Sequence, residues 1–323
     1  MFRALLVTLP LLAGLAQAAP NTLQQRPLSL ETAQGTLYGT LLQPRSTEPL
    51  AVALLVAGSG PTDRDGNNPA DGHNDSLKKL AQNLARHGIA SLRYDKRGVA
   101  ASRAATPNER DLSVDAYVAD AVAWGRLLQR DKAFDRLILI GHSEGALIAS
   151  LAAPQAGADA LVTLAGSARP IDQVLREQLS YRLPPPLLAQ SNRLLDNLLA
   201  GQTSNQVPDA LRVLFRPSVQ PYLISLFKQH PAEAFARLKI PALIVQGSHD
   251  IQVSVADAQA LHAAKPDADL LIVPGMNHVL RIVPLTMPAQ LASYNNPRLP
   301  LAGVLGAKIA GFIQRSTLAV DSR

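Results

Sequence analysis

Short, solid runs of apolar residues alternate along this chain with longer stretches of helical period. Residues 51–57 and 137–140 are solidly apolar, and 89–94, 160–164, 242–246 and 269–273 are mainly apolar runs that also read as strands. Runs of this length, without polar alternation, predict strands buried on both faces. Residues 74–86, 111–129, 254–264 and 301–314 have helix-forming composition. Asn74 or Asp75 would cap the first of these, Ser113 the second, and Gly88 would stop the first. Residues 28–42 alternate loosely around Gly35 and Gly39 and read as one or two antiparallel edge strands. Strands taking turns with helices predict an α/β fold, with a mostly parallel central sheet and helices on both faces.

The alternation stops between residues 168 and 238. That stretch has short helical patterns at 171–181, 187–199, 209–215 and 222–229, separated by Pro184-Pro185-Pro186, Pro208, Pro217, Pro221 and Pro231. Strands resume after it, so it reads as a helical cap inserted between two core strands rather than a separate domain. The expected organisation is a core over 19–167, the cap over 168–238 and the rest of the core over 239–323. Leu187, Leu188, Leu194, Leu195, Leu198, Leu199, Phe215, Tyr222 and Phe227 supply the cap's apolar residues. At helical spacing most of these form a core. Phe215 and Phe227 are the two expected to set a preference for chain length.

Composition narrows the chemistry. The chain has 323 residues, 47% of them hydrophobic, enough to bury one large core. It has no cysteine, which excludes disulfides, thiolate catalysis and cysteine-ligated metals. Its formal charge of +6 is scattered rather than clustered, which argues against a nucleic-acid partner. Residues 1–18 read as a secretory signal: Arg3 gives a positive start, 4–16 are mostly apolar, and Ala16-Gln17-Ala18 fits a cleavage site. A retained anchor is the alternative. No later run is long enough to span a bilayer, so the mature protein is expected to be exported, periplasmic or secreted.

Four apolar residues, Leu137 to Ile140, run directly into Gly141-His142-Ser143-Glu144-Gly145 and then an Ala- and Leu-rich segment. Ser143 therefore falls on a sharp strand-to-helix turn, the place where a serine hydroxyl is presented above a sheet. The pentapeptide alone is weak, so its partners decide. Asp250 follows the strand at 242–246, and His278 follows the strand at 269–273. In a parallel sheet both lie at the carboxyl edge, with Ser143. His278 would take the serine proton and Asp250 would orient the imidazole. Asp257 is the rival acid but lies within a helix. His142, beside the serine, reads as packing, and His73, His87, His230, His249 and His262 lack the same context. Two N–H donors would complete an oxyanion hole. One is that of Glu144. The other comes from Gly58-Ser59-Gly60, at Ser59 or Gly60, a stretch that also reads as a plain tight turn.

These segments carry a resemblance. Gly58-Ser59-Gly60-Pro61, Asp63-Arg64-Asp65-Gly66, Arg93-Tyr94-Asp95-Lys96-Arg97-Gly98, the serine pentapeptide, Asp250 and Asn277-His278 are similar to the α/β-hydrolase superfamily. The nearest branch is bacterial esterases with a serine aminopeptidase S33-type, lysophospholipase-like domain. The resemblance spans the chain after the signal except the cap, and departs where Ala100 stands in place of a glycine. It implies hydrolysis of a small-molecule carboxylic ester through an acyl-enzyme, with no cofactor. Thioester, peptide or amide cleavage on the same fold, and an inactive binding protein, are the alternatives. Oligomeric state is not legible.

Glu144 brings a carboxylate close to the developing oxyanion. Arg64 and Arg97 lie on carboxyl-edge loops, so one of them is expected to pair with it, the alternative being a solvated glutamate.

Overall fold

The structure, a computed structural model, describes residues 23–69 and 72–318 (backbone alone for 317 and 318). The expected signal segment lies outside the described residues. The chain runs β1 (Leu23–Thr32), β2 (Gly35–Pro44), β3 (Leu50–Val56), α1 (Ser76–Arg86), β4 (Ala90–Tyr94), α2 (Val114–Gln129), β5 (Phe134–His142), α3 (Glu144–Ala156) and β6 (Ala160–Leu164). Next come α4 (Ile171–Ser180), α5 (Pro185–Leu199), α6 (Arg212–Phe215), α7 (Gln220–Phe227) and α8 (Pro231–Ala236). The chain closes with β7 (Ala242–Gly247), α9 (Val255–Ala264), β8 (Asp269–Val273), α10 (Met287–Tyr294) and α11 (Val304–Leu318).

The eight strands form one sheet in the order β1-β2-β4-β3-β5-β6-β7-β8. β1, β2 and β4 pair antiparallel, and every pairing from β4 to β8 is parallel. The solid apolar runs have a simple cause. Leu137 and Leu139 of β5 enter one core, while Ile138 and Ile140 enter the other, because successive side chains leave opposite faces. The first core joins α2 and α3 to Leu195, Phe215 and Phe227 of the stretch between β6 and β7. The second packs Leu80 and Leu84 of α1 with Leu305 and Ile309 of α11.

Helix ends follow local chemistry. Ser113 accepts from the Ala116 N–H at 3.1 Å and caps α2, as expected. At α1 the capping acceptor is Asn74, which takes the Ser76 N–H at 3.0 Å; Asp75 stands at φ 54° and makes no side-chain cap bond. Phe215 and Phe227 are 0% and 5% exposed within the shared core. Their place is packing between the helices and the sheet, not an open roof.

Candidate active site

β5 ends at His142, and α3 begins at Glu144, leaving Ser143 alone on the turn with φ 55° and ψ −121°. That conformation is strained for a residue with a Cβ, and such strain concentrates at functional sites. Two glycines make it possible. A Cβ on Gly141 would fall 2.1 Å from the Gly145 carbonyl oxygen, and one on Gly145 would fall 2.2 Å from that of Val56. The Ser143 N–H is bound to the Leu164 carbonyl at 2.8 Å, which fixes the turn against β6.

Asp250 and His278 meet at the same edge, on the loops after β7 and β8. His278 Nδ1 lies 2.8 Å from Asp250 Oδ2. The carboxylate is otherwise saturated: Oδ1 accepts the N–H groups of Gln252 (2.8 Å) and Val253 (3.0 Å), and Oδ2 accepts Gln246 Nε2 at 3.1 Å. Burial alone would raise the Asp250 pKa. The His278 charge, its hydrogen bond and the two backbone N–H groups outweigh burial and hold the carboxyl below its ordinary value. Asp250 is thus an anion whose every partner is a donor, and its partner on the ring is Nδ1.

His142 braces this pair. Its Nε2 donates to the His278 carbonyl at 2.8 Å, and the two rings lie 4.8 Å apart. Burial first, and the neighbouring His278 charge second, push the His142 pKa down to about 4, so the ring is neutral. Among the described residues no hydrogen bond joins the Ser143 hydroxyl to the His278 ring. His142, which directly precedes the serine, links the serine turn to the backbone of His278.

The competitors are engaged elsewhere. Asp257 forms a capping box with Ser254 at the start of α9 and takes Arg169 through both oxygens at 3.0 Å. His249 donates to the Val283 carbonyl at 2.6 Å, and His87 to that of Asn83 at 2.9 Å. Gly58 is buried against the elbow, where a Cβ on it would sit 3.3 Å from Ser143 Cβ; Ser59 and Gly60 follow on an exposed turn, with Gly60 at φ 65°. A cavity of about 760 Å³ opens along this loop and the one after β4, with Pro61, Asn67, Asn68, Val99 and Arg103 among its lining. Neither Ser143, His278 nor any residue of 168–238 lines it.

The expected Glu144–arginine pair is not formed. Arg64 binds Asp95 at 2.6 Å, and Arg97 Nε binds Asp120 at 2.7 Å. Nor is Glu144 solvated, since its side chain is 8% exposed. The cation beside it is Lys96, with Nζ 3.9 Å from Oε1. Sequence reasoning missed Lys96, and it missed Gln246 as a holder of Asp250. The signal available for Lys96 was its position between two charged residues at the end of a buried strand.

A parallel sheet with a strained serine on the strand-to-helix turn, and an acid–histidine pair at later strand ends, defines an α/β-hydrolase. Within that class, the family model for serine aminopeptidase S33 matches residues 70–282, and the chain belongs to this family. It is 30% identical over 247 residues to esterase EstD of Thermotoga maritima, a match covering 76% of this chain; the chain spans 58% of that protein's length. Among solved structures it is similar to Est1E of Butyrivibrio proteoclasticus with ferulic acid bound (TM-score 0.62, 16% identity, 90% of this chain and 99% of that one). The esterase domain of a Rhodothermus marinus protein is similar too (TM-score 0.55, 17% identity, 90% and 98%). At those identities the likeness concerns the fold.

Proposed function

We propose that this protein is an exported serine hydrolase of small carboxylic esters. The observation that carries the reading is the 2.8 Å Asp250–His278 bond at the sheet edge where Ser143 stands on its strained turn. With Nδ1 donating to Asp250, the lone pair is on Nε2. That nitrogen takes the Ser143 proton as the oxygen attacks the ester carbonyl. The N–H groups of Glu144 and of Ser59 or Gly60 hold the oxyanion, each worth about 3 kcal/mol to the transition state. His278 returns the proton to the leaving alcohol. Water then attacks the acyl-enzyme by the same route, releasing the acid and free Ser143. The relation to an esterase supports ester over amide substrates. The segment 168–238 acts as a cap, a role supported by Tyr222 packing edge-on against Tyr117 at 5.6 Å.

The test is a series of p-nitrophenyl esters of graded acyl length beside an aminoacyl anilide. Esters should be cleaved and the anilide spared, and Ser143→Ala should reduce turnover by about 10⁴-fold or more. Full activity in Ser143→Ala, or faster cleavage of the anilide, would reject the proposal.

A further inference from the structure

Three consecutive charged residues, Asp95, Lys96 and Arg97, follow β4, and two of them have conventional partners. Asp95 binds Arg64, and Arg97 binds Asp120. Lys96 is the exception. Its side chain is 1% exposed, with no carboxylate in hydrogen-bond reach. Its ammonium donates to the Gly58 carbonyl and stands over the Tyr117 ring, 5.2 Å from the centroid. Its nearest anion is Glu144, at 3.9 Å, whose Oε1 is itself buried without a hydrogen-bond partner. Burial drives the lysine pKa down, and the Glu144 charge works against that fall.

Two of the groups around Lys96, the Gly58 carbonyl and Glu144, lie on the two sides of the proposed oxyanion hole. Gly58 opens the loop that carries Ser59 and Gly60, and Glu144 carries the other N–H. A carboxylate enclosed here would oppose negative charge growing on the substrate oxygen, and the low dielectric would magnify that opposition. Tyr222, from α7, closes the enclosure. Its hydroxyl is fully buried, and first burial and then the Glu144 charge raise its pKa far above the ordinary value. A compact ammonium stands over the Tyr117 ring and donates to the Gly58 carbonyl while lying 3.9 Å from the Glu144 carboxylate, a point charge suited to so enclosed a place.

We propose that Lys96 is a positioning residue for ester hydrolysis: it neutralises Glu144 and ties the Gly58 loop to the serine turn. Both oxyanion donors are thereby fixed, with no uncompensated anion behind them. The proposal rests on the reading of Ser143 as nucleophile.

The experiment is a cycle of Lys96→Met, Glu144→Gln and the double variant, each followed by kcat, KM and thermal unfolding. Lys96→Met should lower kcat by about 100-fold with KM changed less than about twofold, the pattern of an interaction made in the transition state. The double variant should regain about tenfold or more of that loss, since it removes the anion that Lys96 offsets. Because the chain has no cysteine, Lys96→Cys can also be alkylated with 2-bromoethylamine in denaturant and refolded, and this lysine isostere should restore kcat. Lys96→Met within threefold of the parent, or a double variant no better than Lys96→Met, would overturn the proposal. If Lys96→Met does not fold, recovery of folding and turnover in the double variant supports the pairing, and an equally unfolded double overturns it. Activity surviving in Ser143→Ala would refute the serine reading instead, and the coupling measured in unfolding would then decide the Lys96–Glu144 pair on its own.

Discussion

Replacing Asp250 with asparagine should disable the site while sparing the fold. The amide oxygen keeps the place of Oδ1, because Gln252 and Val253 present N–H groups to it at 2.8 and 3.0 Å. The NH2 must then occupy the Oδ2 position, 2.8 Å from His278 Nδ1 and 3.1 Å from Gln246 Nε2. Facing a donor, Nδ1 becomes an acceptor, and the ring proton moves to Nε2. An Nε2–H cannot accept the Ser143 proton. The same exchange of tautomer in a serine–histidine–aspartate triad costs about 10⁴ in turnover, or about 5 kcal/mol. The new contact between the amide and Gln246 costs about 1 kcal/mol of stability, limited because Gln246 also donates to the Val253 carbonyl at 2.9 Å. Turnover of p-nitrophenyl acetate and near-ultraviolet circular dichroism of Asp250→Asn separate the two effects. A folded variant within tenfold of the parent kcat would refute the argument.

Two further predictions separate structural from chemical groups. Burial would raise the Asp257 pKa, but bonds from Arg169, Ser254 and Ser167 outweigh it and hold the value below 3.8; the stability this adds is full above that pH and is lost as pH falls through the lower folded value. Asp257→Asn should therefore lower the melting temperature at pH 7 and leave kcat within about threefold; a large loss of kcat in a folded variant would return Asp257 to the chemistry. His142 acts in the same direction at higher pH, because its pKa too is depressed, from 6.5 to about 4. The unfolded chain binds the extra proton between those values, so stability falls by roughly 3 kcal/mol as pH drops from 6.5 to 4. His142→Gln, which keeps a donor toward the His278 carbonyl, should flatten that slope in melting curves taken against pH; an unchanged slope would assign it to other groups.

The central strands were legible because each is buried on both faces, so the apolar run and the strand nearly coincide. The positions of Ser143, Asp250 and His278 followed from strand ends and chain order. What sequence reasoning missed has physical reasons. Pro184-Pro185-Pro186 reads as a break, yet Pro185 and Pro186 form the first turn of α5, where a missing N–H costs nothing. α10 shows no helical apolar stripe because its pattern is inverted: it buries Gln290 and Ser293 and leaves Met287 and Leu291 more than half exposed. The Glu144 pairing failed for a different reason. Two arginines lay nearby in the sequence, but Asp95 and Asp120 claim them, and Asp120 sits 23 residues beyond Arg97 on α2. With both arginines claimed at long range, it is the buried Lys96 between them that faces Glu144.

The central claim is that Ser143 is a nucleophile activated by His278, and covalent trapping tests it most directly. The protein is treated with a fluorophosphonate ester, digested, and the adduct located by mass spectrometry. The account predicts one phosphonylated serine, Ser143, formed in step with loss of esterase turnover, and labelling slowed by about 10³-fold or more in His278→Ala. Turnover that persists without a Ser143 adduct, or a stoichiometric adduct on another residue, would contradict it.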